Sequence, residues 1–145
     1  MSWRTNVLAC SVMCGLVGVV AYSAGMTRGE EKAAKRVYEL RTYTTEPGRL
    51  PALHARFRDH TMKLFEKHGM KNEMYWVPTD EKLKDNTLIY IVSHASRDAA
   101  EKSWKDFIGD PDWVKVRDAS EKDGKIVARV DRQYMTLTEY SPVAK

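Results

Sequence analysis

The sequence predicts an α+β domain in which a four-stranded antiparallel sheet carries helices on one face. Two observations support this fold class. Four segments rich in Val, Ile, Tyr and Thr are bounded by turn residues, and helical periodicity appears between them. The order along the chain is strand, helix, strand, strand, helix, strand, which is that of the ferredoxin-like βαββαβ arrangement.

The first 27 residues differ from the rest of the chain and are predicted to form a signal peptide or a transmembrane anchor. No charged residue lies between Arg4 and Arg28. A positive residue followed by an apolar run is typical of a signal peptide, and this run is also long enough to span a bilayer as a retained helix. Either interpretation places the domain outside the cytoplasm, in the periplasm or on the extracytoplasmic face of the membrane.

Residues 28–36 are mostly polar and charged and are predicted to be a linker, so that the folded domain is expected to span residues 37–145. Both cysteines, Cys10 and Cys14, precede this domain. The domain is therefore predicted to have no disulfide and no thiol nucleophile.

The first half of the domain is predicted to contain a strand, a helix and a second strand. Residues 36–45 read RVYELRTYTT and end before a Pro-Gly turn. The following segment repeats apolar residues every three or four positions and stops at Gly69, as expected for an amphipathic helix. Its stripe consists of Leu50, Leu53, Phe57, Thr61, Leu64 and Phe65. Residues 70–79 are predicted to form the second strand.

The second half is predicted to contain two more strands separated by helical sequence. Residues 86–96 hold a continuous apolar run, which favours a central strand. Ser96 is predicted to cap the helix that follows, and Gly109 to end it. The alternation of residues 132–142 predicts the fourth strand.

The stretch Gly109-Asp110-Pro111 is predicted to be a corner between two helices. Asp110 can cap a new helix that runs to about residue 122, with Pro111 at its first position, where a missing N–H group costs nothing. The change of direction would let Phe107 and Trp113 bury against the same sheet.

Helices on one side leave the other face of the sheet open. The residues that alternate outward on the first strand include Tyr38 and Leu40, and exposed apolar faces of this kind are usually covered. We therefore expect a homodimer in which two sheets meet.

Three segments resemble the NIPSNAP family: YELRTYTTEPGRLPAL, FEKHGM and SWKDFIGDPDWVKV. The resemblance extends over roughly residues 37–140 and implies a bacterial-type, single-domain member. The family is similar to the dimeric α+β barrels, which include cofactor-independent monooxygenases and haem-degrading proteins. Animal members act at mitochondria in vesicle- and mitophagy-related interactions. That role is not expected here, because this chain has one domain and an export-type N-terminus.

His60 is the first candidate for chemistry. It follows Leu53 by seven residues, which is two turns of an α-helix, so its side chain is expected to point toward the sheet. A half-buried imidazole could act as a general base, a proton shuttle or a haem ligand. The alternative is a structural histidine whose hydrogen bonds are satisfied by a strand.

Charged and aromatic residues on the first strand form the second candidate. Glu39, Arg41 and Tyr43 share one strand face, where they are either a structural ion pair or the polar lining of a pocket. The aromatic residues are expected mostly to pack in the core or on the dimer face, while some could line a cavity for a flat apolar ligand: Tyr38, Tyr75, Trp76, Tyr90, Trp104 and Trp113. The predicted ligand-binding set is Glu39, Arg41, Tyr43, His60, Trp76 and Trp104.

Several classes of function receive no support from the sequence. Lys and Arg total 24 against 20 Asp and Glu, they are interspersed, and the net charge is +4, which does not suggest nucleic-acid binding. No metal-ligand spacing, phosphate loop or dinucleotide fingerprint is present, so we expect no metal and no cofactor. The sequence favours a dimeric module that binds a small ligand or a protein. The alternative is a cofactor-independent monooxygenase or haem-handling enzyme.

Overall fold

The structure is a computed structural model that describes residues 36–142. The predicted signal or anchor segment (1–27) and nearly all of the predicted linker (28–36) lie outside the described residues. Within the described part, no helix is both long enough and apolar enough to cross a membrane.

The described residues form a four-stranded sheet with helices, which confirms the predicted α+β fold. Every neighbouring strand pair is antiparallel, in the order β2-β3-β1-β4. The strands are β1 (Val37–Thr45), β2 (Lys71–Trp76), β3 (Thr87–His94) and β4 (Val127–Met135). The helices are α1 (Leu50–Arg56), α2 (Met62–Lys67), α3 (Arg97–Gly109) and α4 (Pro111–Ser120).

A π-helical turn, Phe57–Thr61, joins α1 to α2. The N–H of Met62 donates to the carbonyl of Phe57 five residues earlier. The buried Thr61 hydroxyl donates to the carbonyl of Arg56 at 3.1 Å. This wider turn accommodates one residue more than an α-helix would and so changes which side chains face the sheet.

The core lies between the helices and one face of the sheet and is largely aromatic. The ring of Phe65 lies 5.0 Å from that of Phe107 and 6.0 Å from that of Tyr90. Phe57 approaches Tyr90 at 5.2 Å, nearly edge to face. Such aromatic pairs add about 0.5–1.5 kcal/mol each to the stabilisation from burial.

The fourth strand begins and ends earlier than predicted. The sequence pattern placed it at residues 132–142, whereas β4 spans Val127–Met135. Its partner β1 fixes these limits, because β4 pairs from Thr45↔Val127 to Tyr38↔Met135 and β1 starts one residue before Tyr38. The alternating residues after Met135 therefore have almost no strand left to pair with.

The corner between α3 and α4 forms as the sequence predicts. Gly109 is the last residue of α3, and Asp110 caps α4 by accepting a hydrogen bond from the N–H of Asp112 at 2.9 Å. Phe107 is buried and its ring lies 4.5 Å from that of Trp113. Trp113 itself is half-buried rather than buried, since α4 lies on the outside of the domain and buries none of its residues fully.

Asp110 also ties the corner to the end of α2. Its carboxylate is 2.8 Å from Nζ of Lys67 and 2.7 Å from Nε2 of His68. The hydrogen bonds from Lys67 and His68 hold the pKa of Asp110 well below its usual range. One carboxylate thus caps a helix and joins two elements.

We expect Asp110→Ala to lower the melting temperature by several degrees, because it removes both the cap and the bridge to α2. Thermal denaturation followed by circular dichroism measures this change. Asp112→Ala is the matched control: its carboxylate also contacts Lys67, but it is 71% exposed. Equal losses in the two variants would contradict a structural role for Asp110.

Candidate functional site

A buried polar cluster lies where the centre of the sheet meets α3. Glu39 of β1 is fully buried, and its two carboxylate oxygens have different partners. Oε1 accepts a hydrogen bond from Nε of Arg41 at 2.8 Å. Oε2 accepts from Nε1 of Trp104 at 2.5 Å and from Nε2 of His94 at 3.1 Å. Three donors therefore engage one carboxylate.

The alternation of the strands brings these residues together. β1 pairs with β3 so that Glu39 lies opposite Val92 and Arg41 lies opposite Tyr90. The side chains that point toward the helices include all four of these strand residues. Trp104 of α3 lies on the same side of the sheet. The cluster therefore joins two central strands to a helix.

Arg41 is held on two sides. Its guanidinium carbon lies 3.5 Å from the centroid of the Trp104 ring, a cation–π contact, and its Nη1 donates to the hydroxyl of Tyr43 at 3.3 Å. Only 8% of Arg41 is exposed. Glu39 and Arg41 thus form a buried ion pair.

Burial alone would raise the pKa of Glu39, but the hydrogen bond from His94, the charge of Arg41 and the hydrogen bond from Trp104 together lower it to about 2. His94 must then carry its proton on Nε2, since an ionised carboxylate only accepts. Burial also raises the pKa of Tyr90 well above its ordinary value. Near neutral pH, the carboxylate is a very weak base and the phenol stays protonated.

A small cavity adjoins this cluster toward β4. Its volume is about 170 Å³, and its walls include Tyr43, Phe57, Phe107 and Trp113, with Val130 of the edge strand. Glu39, Arg41, His94 and Trp104 are not among its lining residues. Tyr43 is therefore the member of the cluster that a small molecule in this cavity would meet.

His60 does not point toward the sheet, contrary to the prediction. Its side chain is exposed, and it lies on the rim of an open groove of about 730 Å³ between the π turn and α4, beside Asp59 and Lys63. The π turn is the reason, because the extra residue moves the inward position from His60 to Thr61, which is 1% exposed.

Trp76 is also separate from the cluster. It is the last residue of the edge strand β2 and is 43% exposed. It lines a different cleft of about 250 Å³ together with His54 and Tyr75. The structure thus brings together four of the six residues predicted to bind a ligand: Glu39, Arg41, Tyr43 and Trp104.

His94 and Arg56 were not predicted as site residues. The signal for His94 was present, because alternation along β3 places it on the same face as Tyr90. Arg56 had no such signal: a charged residue beside an apolar stripe normally reaches water, yet Arg56 is 5% exposed. Within residues 36–142, no cluster of three or more His, Cys, Asp or Glu side chains is arranged to hold a metal ion.

We expect Glu39→Gln to lower the free energy of unfolding at pH 7 by about 3 kcal/mol or more, because it leaves the buried guanidinium of Arg41 without its counter-charge. Equilibrium urea denaturation measures this change. Glu101→Gln is the matched control, since that carboxylate is 67% exposed in a surface pair with Arg97. It should change the free energy by less than about 0.5 kcal/mol.

The difference in the free energy of unfolding between wild type and Glu39→Gln should also depend on pH. Folding lowers the pKa of Glu39 from 4.5 to about 2, so its stabilising effect is complete well above pH 4.5 and is lost as the pH falls toward 2. A Gln variant that is as stable as wild type at pH 7 would show that the ion pair does not stabilise the fold.

The NIPSNAP family model matches residues 38–142, and no curated protein matches the sequence. A NIPSNAP family protein of unknown function from Agrobacterium tumefaciens is 20% identical, with a TM-score of 0.64 over 75% of this chain and 94% of that one. An uncharacterised NIPSNAP-like domain protein from Burkholderia xenovorans is 12% identical, with a TM-score of 0.64 over 75% and 90%.

The fold is also similar to that of an enzyme. SnoaB, a cofactor-independent oxygenase from Streptomyces nogalater, is 14% identical and superposes with a TM-score of 0.51 over 75% of this chain and 99% of that one. At this identity the similarity concerns the fold and not the chemistry. The family match covers nearly all of the described residues and agrees with the order of strands and helices. The chain belongs to the NIPSNAP family.

Proposed function

We propose that this protein is an exported, homodimeric binding module rather than an enzyme. The observation that carries the proposal is that three buried donors engage Glu39. Its oxygens accept from Arg41, His94 and Trp104, and its pKa is about 2. A general base has to reach its substrate and to hold a proton near the working pH, and this carboxylate is suited to neither task.

The alternative is a cofactor-independent monooxygenase or haem-handling enzyme. The position of His60, the main residue proposed for it, does not support this alternative. It relied on an imidazole beside a closed pocket, but His60 is exposed on an open groove. The cavity between sheet and helices, about 170 Å³, is smaller than the roughly 300–1,000 Å³ of typical ligand pockets. Haem would not fit it without a rearrangement.

The open face of the sheet supports a dimer. Leu40 pairs across the strands with Ile91, Ile91 pairs with Met74, and Tyr38 pairs with Met135. Met74 is 52% exposed. These side chains alternate with those that face the core, so they lie on the side of the sheet away from the helices. Residues of the segment 136–141 line a cleft of about 460 Å³ with several of them.

The charges around this surface are suited to a second copy of the same chain. The edge strand β4 carries Arg129 and Asp131, which pair at 2.9 Å, and the opposite edge carries Lys71 beside Glu73 at 3.2 Å. Each edge thus holds both signs of charge, which allows two identical faces to meet without net repulsion. We therefore infer that the occupant of the face is the second protomer.

We expect Ile91→Glu to convert the full-length protein from a dimer to a monomer, because each dimer would bury two new carboxylates without partners. Multi-angle light scattering at micromolar concentration measures the mass. Ile108→Glu is the matched control, since Ile108 is 59% exposed on the helical side and should leave the dimer intact. A monomeric wild-type protein would overturn the proposed assembly.

Export is the second part of the proposal and is supported by the uncharged sequence between Arg4 and Arg28. Cell fractionation should find the protein outside the cytoplasm, either in the periplasm or at the extracytoplasmic membrane face. N-terminal sequencing then distinguishes a cleaved signal from a retained anchor. A full-length, soluble cytoplasmic protein would contradict export.

A further inference from the structure

The wall of the cavity between the sheet and the helices is rich in aromatic side chains. Five aromatic side chains line it: Tyr43, Phe57, Phe65, Phe107 and Trp113. Val127 and Val130 of β4 line its other side. Because Val130 is 43% exposed on an edge strand, the cavity opens toward solvent at that strand.

Arg56 is a charged residue of this aromatic cavity's lining, and it also lines the open groove beside His60. The residue is 5% exposed, and its guanidinium lies 5.3 Å from the centroid of the Trp113 ring. Nη1 donates to Oε1 of Glu121 at 3.0 Å and to the hydroxyl of Ser120 at 3.3 Å. Nε is buried and has no hydrogen-bond partner among the described residues. A buried guanidinium normally uses its planar set of five N–H groups more fully.

The other charged residues around the cavity do not provide an acceptor for the remaining N–H groups of Arg56. Glu121 also accepts from the N–H of Ile126 at 3.3 Å with the same oxygen that meets Arg56. Arg117, a second cation of the lining, is engaged by the exposed Asp118 at 2.8 Å. Each guanidinium of the lining is thus paired with one carboxylate. The hydrogen-bonding capacity that stays open is the Nε donor of Arg56, which favours a guest that carries an acceptor such as a carboxylate.

The volume limits the size of the guest. About 170 Å³ is close to the roughly 150 Å³ of an apolar protein cavity that holds one benzene molecule. One aromatic ring fits, and a fused polycyclic system does not. Aromatic walls suit a flat ring, because they offer edge-to-face contacts to it.

We propose that this cavity binds a monocyclic aromatic carboxylate of the benzoate class, with the ring among Tyr43, Phe57 and Trp113 and the carboxylate toward Arg56. The inference rests on the proposed binding function and names its ligand. No bond is made or broken: the protein holds the anion, and a carboxylate of the guest supplies an acceptor for Nε of Arg56, which has none among the described residues. Because Nε is buried, the Arg56 side chain has to shift for the guest to reach it.

The test is isothermal titration calorimetry of the full-length protein with sodium benzoate and two related probes. Benzamidine keeps the ring and reverses the charge, and cyclohexanecarboxylate keeps the charge and removes the aromatic ring. Benzoate should bind at one site per protomer, and each of the other two should bind at least about tenfold more weakly. Equal binding of benzoate and benzamidine would overturn the charge recognition.

Two variants locate the site. Arg56→Gln should weaken benzoate binding at least about tenfold, and Lys63→Gln, which removes an exposed cation outside the cavity, should not change it. Because Arg56 also braces α4, a second variant is needed: Val130→Trp at the exposed mouth should block entry without touching Arg56. Unchanged benzoate affinity in Val130→Trp would place binding elsewhere and overturn the site.

The outcome of the benzoate titration can be distinguished from the outcome of the test for a dimer. An absence of heat with millimolar benzoate overturns the ligand class, and light scattering on the same sample reports the oligomeric state independently. If benzoate is consumed rather than bound, its concentration falls during incubation, which would overturn the binding function and retain the site.

Discussion

The ion pair between Glu39 and Arg41 lies where the sheet meets α3, and the interior of the domain is arranged around it. Its carboxylate joins neighbouring positions of β1, the end of β3 through His94, and α3 through Trp104. Charges at a central strand are costly when they are unpaired, so each partner has to be present for the others to be tolerated. The same contacts close this part of the interior to ligands.

The two binding surfaces that we propose lie away from this polar centre. On one side of the sheet, the apolar face around Leu40 and Ile91 is the surface that we propose is covered by a second copy. On the helical side, the aromatic cavity beside Arg56 opens at the edge strand. The two surfaces lie on opposite faces of one sheet, so occupation of one does not obstruct the other.

Local chemistry explains what could be predicted from the sequence. The Asp110 corner follows from a cap, a proline and a glycine that are consecutive in the chain, and the alternation of β1 placed Glu39, Arg41 and Tyr43 on one face. The family was recognisable from three short segments.

The features that the sequence did not predict are a local departure from α-helical geometry and a strand whose limits depend on a distant part of the chain. The π turn places Thr61 inward and His60 outward. The spacing of the apolar stripe did carry a signal for this turn, because its buried members are each four residues apart: Leu53, Phe57, Thr61 and Phe65. In an α-helix, each four-residue step overshoots a full turn by about 40°, so a buried set with this spacing indicates a wider turn. The limits of β4 were fixed by the length of β1, which residues 132–142 alone could not indicate.

The measurement that bears most directly on this arrangement is the pKa of Glu39 itself. Carbon-detected NMR of side-chain carboxylates, with Glu39→Gln to assign the resonance, follows its ionisation as the pH is lowered. If the three donors hold the carboxylate as described, Glu39 stays ionised until the pH approaches about 2. A midpoint at or above the ordinary value of 4.5 would contradict the structural ion pair and make Glu39 available as a base.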